Sequence, residues 1–167
     1  MDQRPLVITG FMCAGKTSVA RALGELLGCA AIDLDEEITE AEGSTPAQLI
    51  HEIGEPAFRE IETRVLRDVL ERKARVIALG GGAWNVPRNR ELISQFGAIS
   101  VWLDLPFDEC WKRIATSGHR PLAANRQQAA ALFDLRRSSY ELAMIRLNVS
   151  QDLKAQELAQ QIVALWP

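Results

Sequence analysis

Short runs of apolar residues alternate along the chain with longer stretches in which apolar positions recur every three or four residues. The short runs are Leu6 to Thr9, Ala30 to Asp33, Arg75 to Leu79, Ile99 to Leu103 and Ile145 to Val149, and their alternation with helical stretches predicts five strands in a mainly parallel sheet covered on both faces. Between the first two, Lys16 to Leu27 carries Val19, Ala20, Leu23, Leu26 and Leu27 at helical spacing, with Gly28 where a left-handed helix-ending residue belongs. Pro56 to Arg72 repeats the pattern with Phe58, Ile61, Val65, Leu66, Val69 and Leu70, and Leu153 to Trp166 predicts a last amphipathic helix that closes the sheet. Strands separated by helices predict an α/β fold, a mainly parallel sheet with helices on both faces. The stretch from Ser117 to Gln128 breaks the rhythm. Its turn formers, its two arginines and its lack of periodicity predict a mobile loop.

Length and composition narrow this picture without changing it. The 167 residues suffice for one core, and no repeat, low-complexity tract or Pro/Gly-rich linker divides them, so a single domain over residues 1–167 is expected. No run approaches the ~18 uninterrupted apolar residues of a membrane span. A net charge of −3 argues against a broad nucleic-acid-binding face, which needs clustered Lys and Arg. The first residues are too short and too weakly basic for a secretory signal, which leads to the expectation of a cytoplasmic protein. Cys13, Cys29 and Cys110 lack C-x-x-C spacing and are expected as reduced thiols. His51 and His119 are isolated, with no spacing that suggests a metal site.

Chemistry first appears at Gly10-Phe11-Met12-Cys13-Ala14-Gly15-Lys16-Thr17, which satisfies G-x-x-x-x-G-K-[ST] and lies between an apolar strand and a helix. In that setting a glycine-rich turn lets successive backbone N–H groups converge on phosphate oxygens, and the helix N-terminus adds favourable dipole charge. Lys16 is expected to reach the β- and γ-phosphates and Thr17 to ligate Mg²⁺. Cys13 reads as a small loop residue that contributes its backbone N–H.

A phosphate cradle needs an acceptor to become a kinase. After the second strand, alternation through Asp33-Leu34-Asp35 would point the two carboxylates in different directions. Asp33 then suits the metal shell, and Asp35 suits the proton of an attacking hydroxyl. Asp35 with Glu36 and Glu37 equally fits the capping of the next helix. Arg59 and Glu62 stand at i, i+3, where an exposed surface pair is the plainer account. Gly80-Gly81-Gly82 directly follows an apolar strand, the place where ligands of open α/β sheets gather, although a flexible turn has the same composition. Arg113, Arg120, Arg136 and Arg137 lie around or after the irregular stretch and suit a developing phosphoryl charge or a carboxylate, while each singly also fits a solvated surface. Trp84 lines the acceptor pocket or simply packs. Trp102 and Trp111 read as core or half-core.

Taken together and in order, the P-loop, Asp33-x-Asp35, Phe58-Arg59-x-x-Glu62, Gly80-Gly81-Gly82, Arg120-Pro121-Leu122 and Arg136 four residues before Tyr140 resemble the shikimate kinase family. The likeness spans roughly residues 5 to 150. It implies a three-layer P-loop fold with a five-stranded parallel sheet in the order 2-3-1-4-5, an acceptor-binding region at about 34–62 and a lid at about 113–126. It further implies ATP and shikimate as substrates, Mg²⁺ as cofactor, a monomer, and transfer to the 3-hydroxyl of shikimate. A related kinase of a polyhydroxy acid such as gluconate, or a regulatory module with impaired catalysis, is the alternative. The resemblance assigns the nucleotide to Cys13, Ala14, Gly15, Lys16, Thr17, Ser18, Arg113 and Arg120, with Arg113 near adenine and Arg120 as the lid arginine. Asp35, Arg59, Gly80, Gly81, Gly82 and Arg136 are assigned to shikimate, Thr17 and, through water, Asp33 to the metal, and Glu62 to the orientation of Arg59. Lys16, Asp35 and Arg120 form the catalytic set. Cys13 replaces the usual glycine, Ala78 a common serine, Ser138 the usual proline and Ala123 a frequent leucine.

Overall fold

The computed structural model describes residues 4–117, 125–150 and 153–166. Its centre is a five-stranded, all-parallel sheet formed by β1 (Leu6–Thr9), β2 (Ala31–Asp33), β3 (Val76–Ala78), β4 (Ile99–Asp104) and β5 (Ile145–Asn148), in the spatial order β2-β3-β1-β4-β5. Each strand lies within about a residue of its apolar run. The reason is burial: β1, β3 and most of β4 have no exposed face, so their signal is a continuous apolar stretch.

Among the described residues seven helices fill the crossovers and an eighth follows β5. Helix α1 (Lys16–Leu27) ends at Gly28, whose φ of 64° is left-handed, and packs against α8 (Ala155–Leu165). Helices α2 (Leu34–Glu42), α3 (Pro46–Ile53) and α4 (Glu55–Glu71) follow β2 and form one side of a cavity. Helix α4 begins at Glu55, one residue before the Pro56 start that periodicity predicted, so Pro56 is its second residue. A 3-10 turn at Ala83–Asn85 and α5 (Pro87–Gln95) lead into β4, and α6 (Phe107–Thr116) and α7 (Arg126–Tyr140) lead into β5.

Two local expectations change. The strand alternation imagined through Asp33-Leu34-Asp35 stops at Asp33, because the Asp33 carboxylate accepts from the backbone N–H of Asp35 at 3.0 Å and of Glu36 at 3.4 Å and so starts α2 at Leu34. Asp33 is therefore the cap, and Asp35 lies in the first helical turn. The irregular stretch also ends earlier than Gln128. Asn125 accepts from the Gln128 N–H at 2.9 Å and opens α7 at Arg126. Arg120, His119 and the Arg120-Pro121-Leu122 motif lie outside the described residues, as does Ala123. No helix among the described residues is long and apolar enough to cross a membrane.

Candidate active site

Two cradles open at the carboxyl ends of β1 and β3, which are neighbours in the sheet. The first is the loop from Gly10 to Gly15, where Gly10 (φ 149°) and Gly15 (φ 95°) take conformations that β-carbons disfavour. A Cβ on Gly10 would stand 2.9 Å from the Leu103 carbonyl oxygen. Cys13 also has positive φ, 60°, which is why glycine is at ease at this position and a side chain is not. Lys16 Nζ donates to the Phe11 carbonyl at 2.9 Å, and Arg113, projecting from α6, donates from Nη1 to the Cys13 carbonyl at 3.1 Å. Together with Gly15, Lys16, Thr17, Ser18, Asp33 and Arg113, Cys13 lines a cleft of about 390 Å³. Ala14 is buried beneath it.

Thr17 Oγ1 donates to Asp33 Oδ2 at 2.5 Å, so a hydroxyl and a carboxylate meet at the start of α1. That donor set, all oxygen and placed beside a phosphate loop, fits a hard divalent cation. The same carboxylate caps α2 through its other oxygen, which holds its direction.

The second cradle is built on the glycine triplet. A Cβ on Gly80 would lie 2.5 Å from Asp35 Oδ1, and a Cβ on Gly82 would overlap Arg59 Nη2 and stand 3.0 Å from Arg136 Nη2. Three side chains from three helices thus press directly onto backbone, which a flexible turn would not require. Arg136 is 6% exposed, and its Nη1 shares the Gly81 carbonyl with the Tyr140 hydroxyl, at 3.1 and 2.7 Å. Burial raises the Tyr140 pKa, so the phenol stays a donor.

Arg59 and Glu62 do not form an exposed surface pair. Glu62 is 1% exposed, and Arg59 Nη1 donates to its two oxygens at 3.0 and 2.9 Å. Burial pushes the Glu62 carboxyl up to about 7 against the pull of Arg59. The Arg59 guanidinium loses basicity to burial, yet Glu62 and Glu55 outweigh this and raise its pKa. Below this pair the Thr63 hydroxyl bridges the Arg59 carbonyl at 2.9 Å and Asn89 Oδ1 at 2.6 Å, and Asn89 Nδ2 donates to the Ala83 carbonyl at 3.0 Å. Through these two buried residues α4 is tied to the turn that follows the triplet.

Met12, Asp35, Thr45, Pro46, Ala47, Ile50, Phe58, Arg59, Glu62, Gly80, Gly81, Gly82 and Arg136 enclose a cavity of about 220 Å³. Met12, Asp35, Gly80 and Gly81 also line the phosphate cleft, so the two spaces share one wall and Asp35 stands at their junction. An anion lodged between Arg59 and Arg136 would present the rest of its body to Asp35 and, beyond it, to the cradle.

Other expectations resolve differently. Trp84 is buried and donates from Nε1 to the Ser139 carbonyl at 2.7 Å, so it packs rather than lining the cavity. Arg137 leans over Trp102 and toward Asp104 and Glu141, away from the acceptor side. Cys110 is a buried thiol pushed up to about 12 by burial. Phe58 was legible as part of a motif, but the apolar wall from Pro46 to Ile50 and the Thr63–Asn89 bridge carried no sequence signal of their own, whereas the contact of Glu55 with Arg59, equally unexpected, has a signal in its i, i+4 spacing.

Residues 12–166 match the shikimate kinase family. A shikimate kinase of Rhizobium meliloti is 33% identical over 166 residues, covering 98% of this chain and 86% of the relative. Among solved structures, a shikimate kinase from Acinetobacter baumannii in complex with shikimate superposes with a TM-score of 0.88 at 36% identity, covering 97% of this chain and 92% of that one. The shikimate kinase from Bacteroides thetaiotaomicron gives 0.87 at 28% identity, with 97% of each chain covered.

Proposed function

This chain belongs to the shikimate kinase family, ATP-dependent enzymes acting on a shikimate hydroxyl, and from that premise we propose how its own residues carry out the transfer. The whole chain serves as one kinase domain, with the acceptor held between α2–α4 and the glycine triplet. One observation carries this reading: the phosphate cleft and the acceptor cavity share Met12, Asp35, Gly80 and Gly81 as a common wall.

The N–H groups from Cys13 to Ser18 cradle the phosphates, Lys16 turns from the Phe11 carbonyl to their oxygens, and Arg113 flanks the loop on the side assigned to adenine. Arg120 is assigned to the transferring phosphoryl group from the lid. Mg²⁺ would be held by Thr17 and, through water, by Asp33, and would there supply positive charge to the phosphates. Arg59 and Arg136 take the shikimate carboxylate, with Glu62 fixing Arg59 along one edge. Asp35, braced against Gly80, then meets the ring hydroxyls and accepts the proton as the 3-hydroxyl attacks the γ-phosphorus in line. Positioning and charge stabilisation do most of the work in such a transfer.

The test is ADP release by the purified chain with ATP, Mg²⁺ and shikimate, beside gluconate as a competing polyhydroxy acid. ADP is expected only with shikimate, and Asp35→Asn is expected to bind ATP normally while turnover collapses. Release independent of shikimate, under conditions where ATP binds, would remove the assignment.

A further inference from the structure

Arg59 is gripped along two edges by two carboxylates of different character. Nη1 holds Glu62, while Nε and Nη2 donate to Oε1 of Glu55 at 3.2 and 2.7 Å. The Glu62 side chain is 1% exposed and that of Glu55 is 49% exposed. A buried carboxylate cannot leave its guanidinium without stranding a charge. A half-exposed one trades the guanidinium for water at little cost.

The Nε/Nη2 edge is also one of the two edges along which a guanidinium takes a carboxylate side-on. Glu55 reaches it from a neighbouring cleft that shares Arg59, Gly82 and Arg136 with the acceptor cavity but lies outside that cavity. Charge points the same way. The cavity brings Arg59 and Arg136 together with the carboxyl groups of Asp35 and Glu62, and Glu55 places a further carboxylate on Arg59. An incoming carboxylate therefore meets this additional negative charge while Glu55 stays bound. Arg136, by contrast, is anchored on the Gly81 carbonyl.

We infer that Glu55 is a stand-in carboxylate, holding the Nε/Nη2 edge of Arg59 before the acceptor arrives and giving it up to the acceptor's own carboxylate. Released by Glu55, the guanidinium turns about its anchor on Glu62 toward the cavity, and Glu55 moves into solvent without needing room inside. Glu55 thereby lowers acceptor affinity and rewards only ligands whose charge can replace it, which makes it a specificity residue that never touches the bound acceptor.

This inference rests on the cavity being the site of the shikimate carboxylate, and the experiment separates the two. Calorimetry would compare shikimate and its neutral carboxamide on wild type and Glu55→Gln, with ATP titrated into both proteins. Shikimate affinity is expected to rise about two- to fivefold in the variant, the range of an exposed ion pair, and KM to fall in the same ratio. Affinity for ATP and for the carboxamide should stay put, and Glu55→Ala should move shikimate in the same direction as the Gln variant. Unchanged or weaker shikimate binding, or equal tightening of the carboxamide, overturns the competition and leaves the site standing. Wild type that binds ATP but not shikimate overturns both.

Discussion

Gly82 holds the acceptor site together by what it lacks. Its missing Cβ is the space in which Arg59 Nη2 and Arg136 Nη2 meet. Gly82→Ala must push one guanidinium aside, so shikimate binding should weaken by roughly 1.5 to 3 kcal/mol, the scale of a hydrogen bond to a charged group, with ATP affinity unchanged in the same titration. The triplet was visible in the chain, but its purpose was not, because a side chain pressed onto backbone from a helix over twenty positions earlier leaves no local pattern. The reverse holds for Arg59 and Glu62. Their spacing was plain, and only burial distinguished a site pair from a surface pair.

Glu62 also supplies a pH dependence. Its carboxyl is held at about 7 in the fold against an ordinary value of 4.5, so between these values the native state binds more protons than the unfolded chain. Stability from this group is greatest below the lower value, declines as pH rises through the interval and levels off above the higher one. Glu62→Gln lacks the titration. Denaturant melts of both proteins at stepped pH should therefore show the balance shifting toward the variant across that interval, and a constant difference would mean that Glu62 is ionised throughout.

At the scale of elements, caps decide which segments shape the cavity. Helix α3 is only eight residues long and begins with a capping box, in which Thr45 Oγ1 accepts from the Gln48 N–H at 3.3 Å and Gln48 Oε1 accepts from the Thr45 N–H at 2.8 Å. Thr45, Pro46, Ala47 and Ile50 of this segment line the cavity proposed for the acceptor. Thr45→Ala should cost about 1 kcal/mol of stability and raise KM for shikimate more than KM for ATP, as thermal melts and steady-state kinetics would check. The central strands β1, β3 and β4 were legible because burial on both faces writes an apolar run into the chain, whereas the edge strand β5 exposes Arg146 and Asn148 and so departs from the expectation of cover on both faces. The helical start at Leu34 was not legible, since Asp33 signals a strand end, a cap and a metal-shell residue with a single side chain. Asn125 hid the start of α7 in the same way, inside a stretch rich in turn formers.

For the whole molecule, ligand binding and folding are one equilibrium. The cavity proposed for the acceptor is lined by α2 through α4, the glycine triplet and α7, so a ligand held there would bind the folded chain only. At a concentration one hundred times Kd, shikimate should add about 2.7 kcal/mol to the unfolding free energy, and this increment should shrink sharply in Arg136→Ala. Thermal shift with and without ligand measures both. The sheet order became an expectation only through the family likeness, because apolar runs say that strands exist and not which of them are neighbours.

That neighbourhood has a consequence for how such enzymes diversify. Ile8 pairs with Ala78, and the Leu79 N–H still donates to the Ile8 carbonyl at 3.0 Å, one residue before the triplet begins. The loop that grips the donor and the turn that grips the acceptor therefore leave adjacent strands at the same height, about 4.8 Å apart. The spacing of the two loops is a property of the sheet beneath, while on the proposed reading the choice of acceptor is written mainly in α2 to α4, with Arg136 of α7. Rewriting those helices would then leave the register of the two loops unchanged.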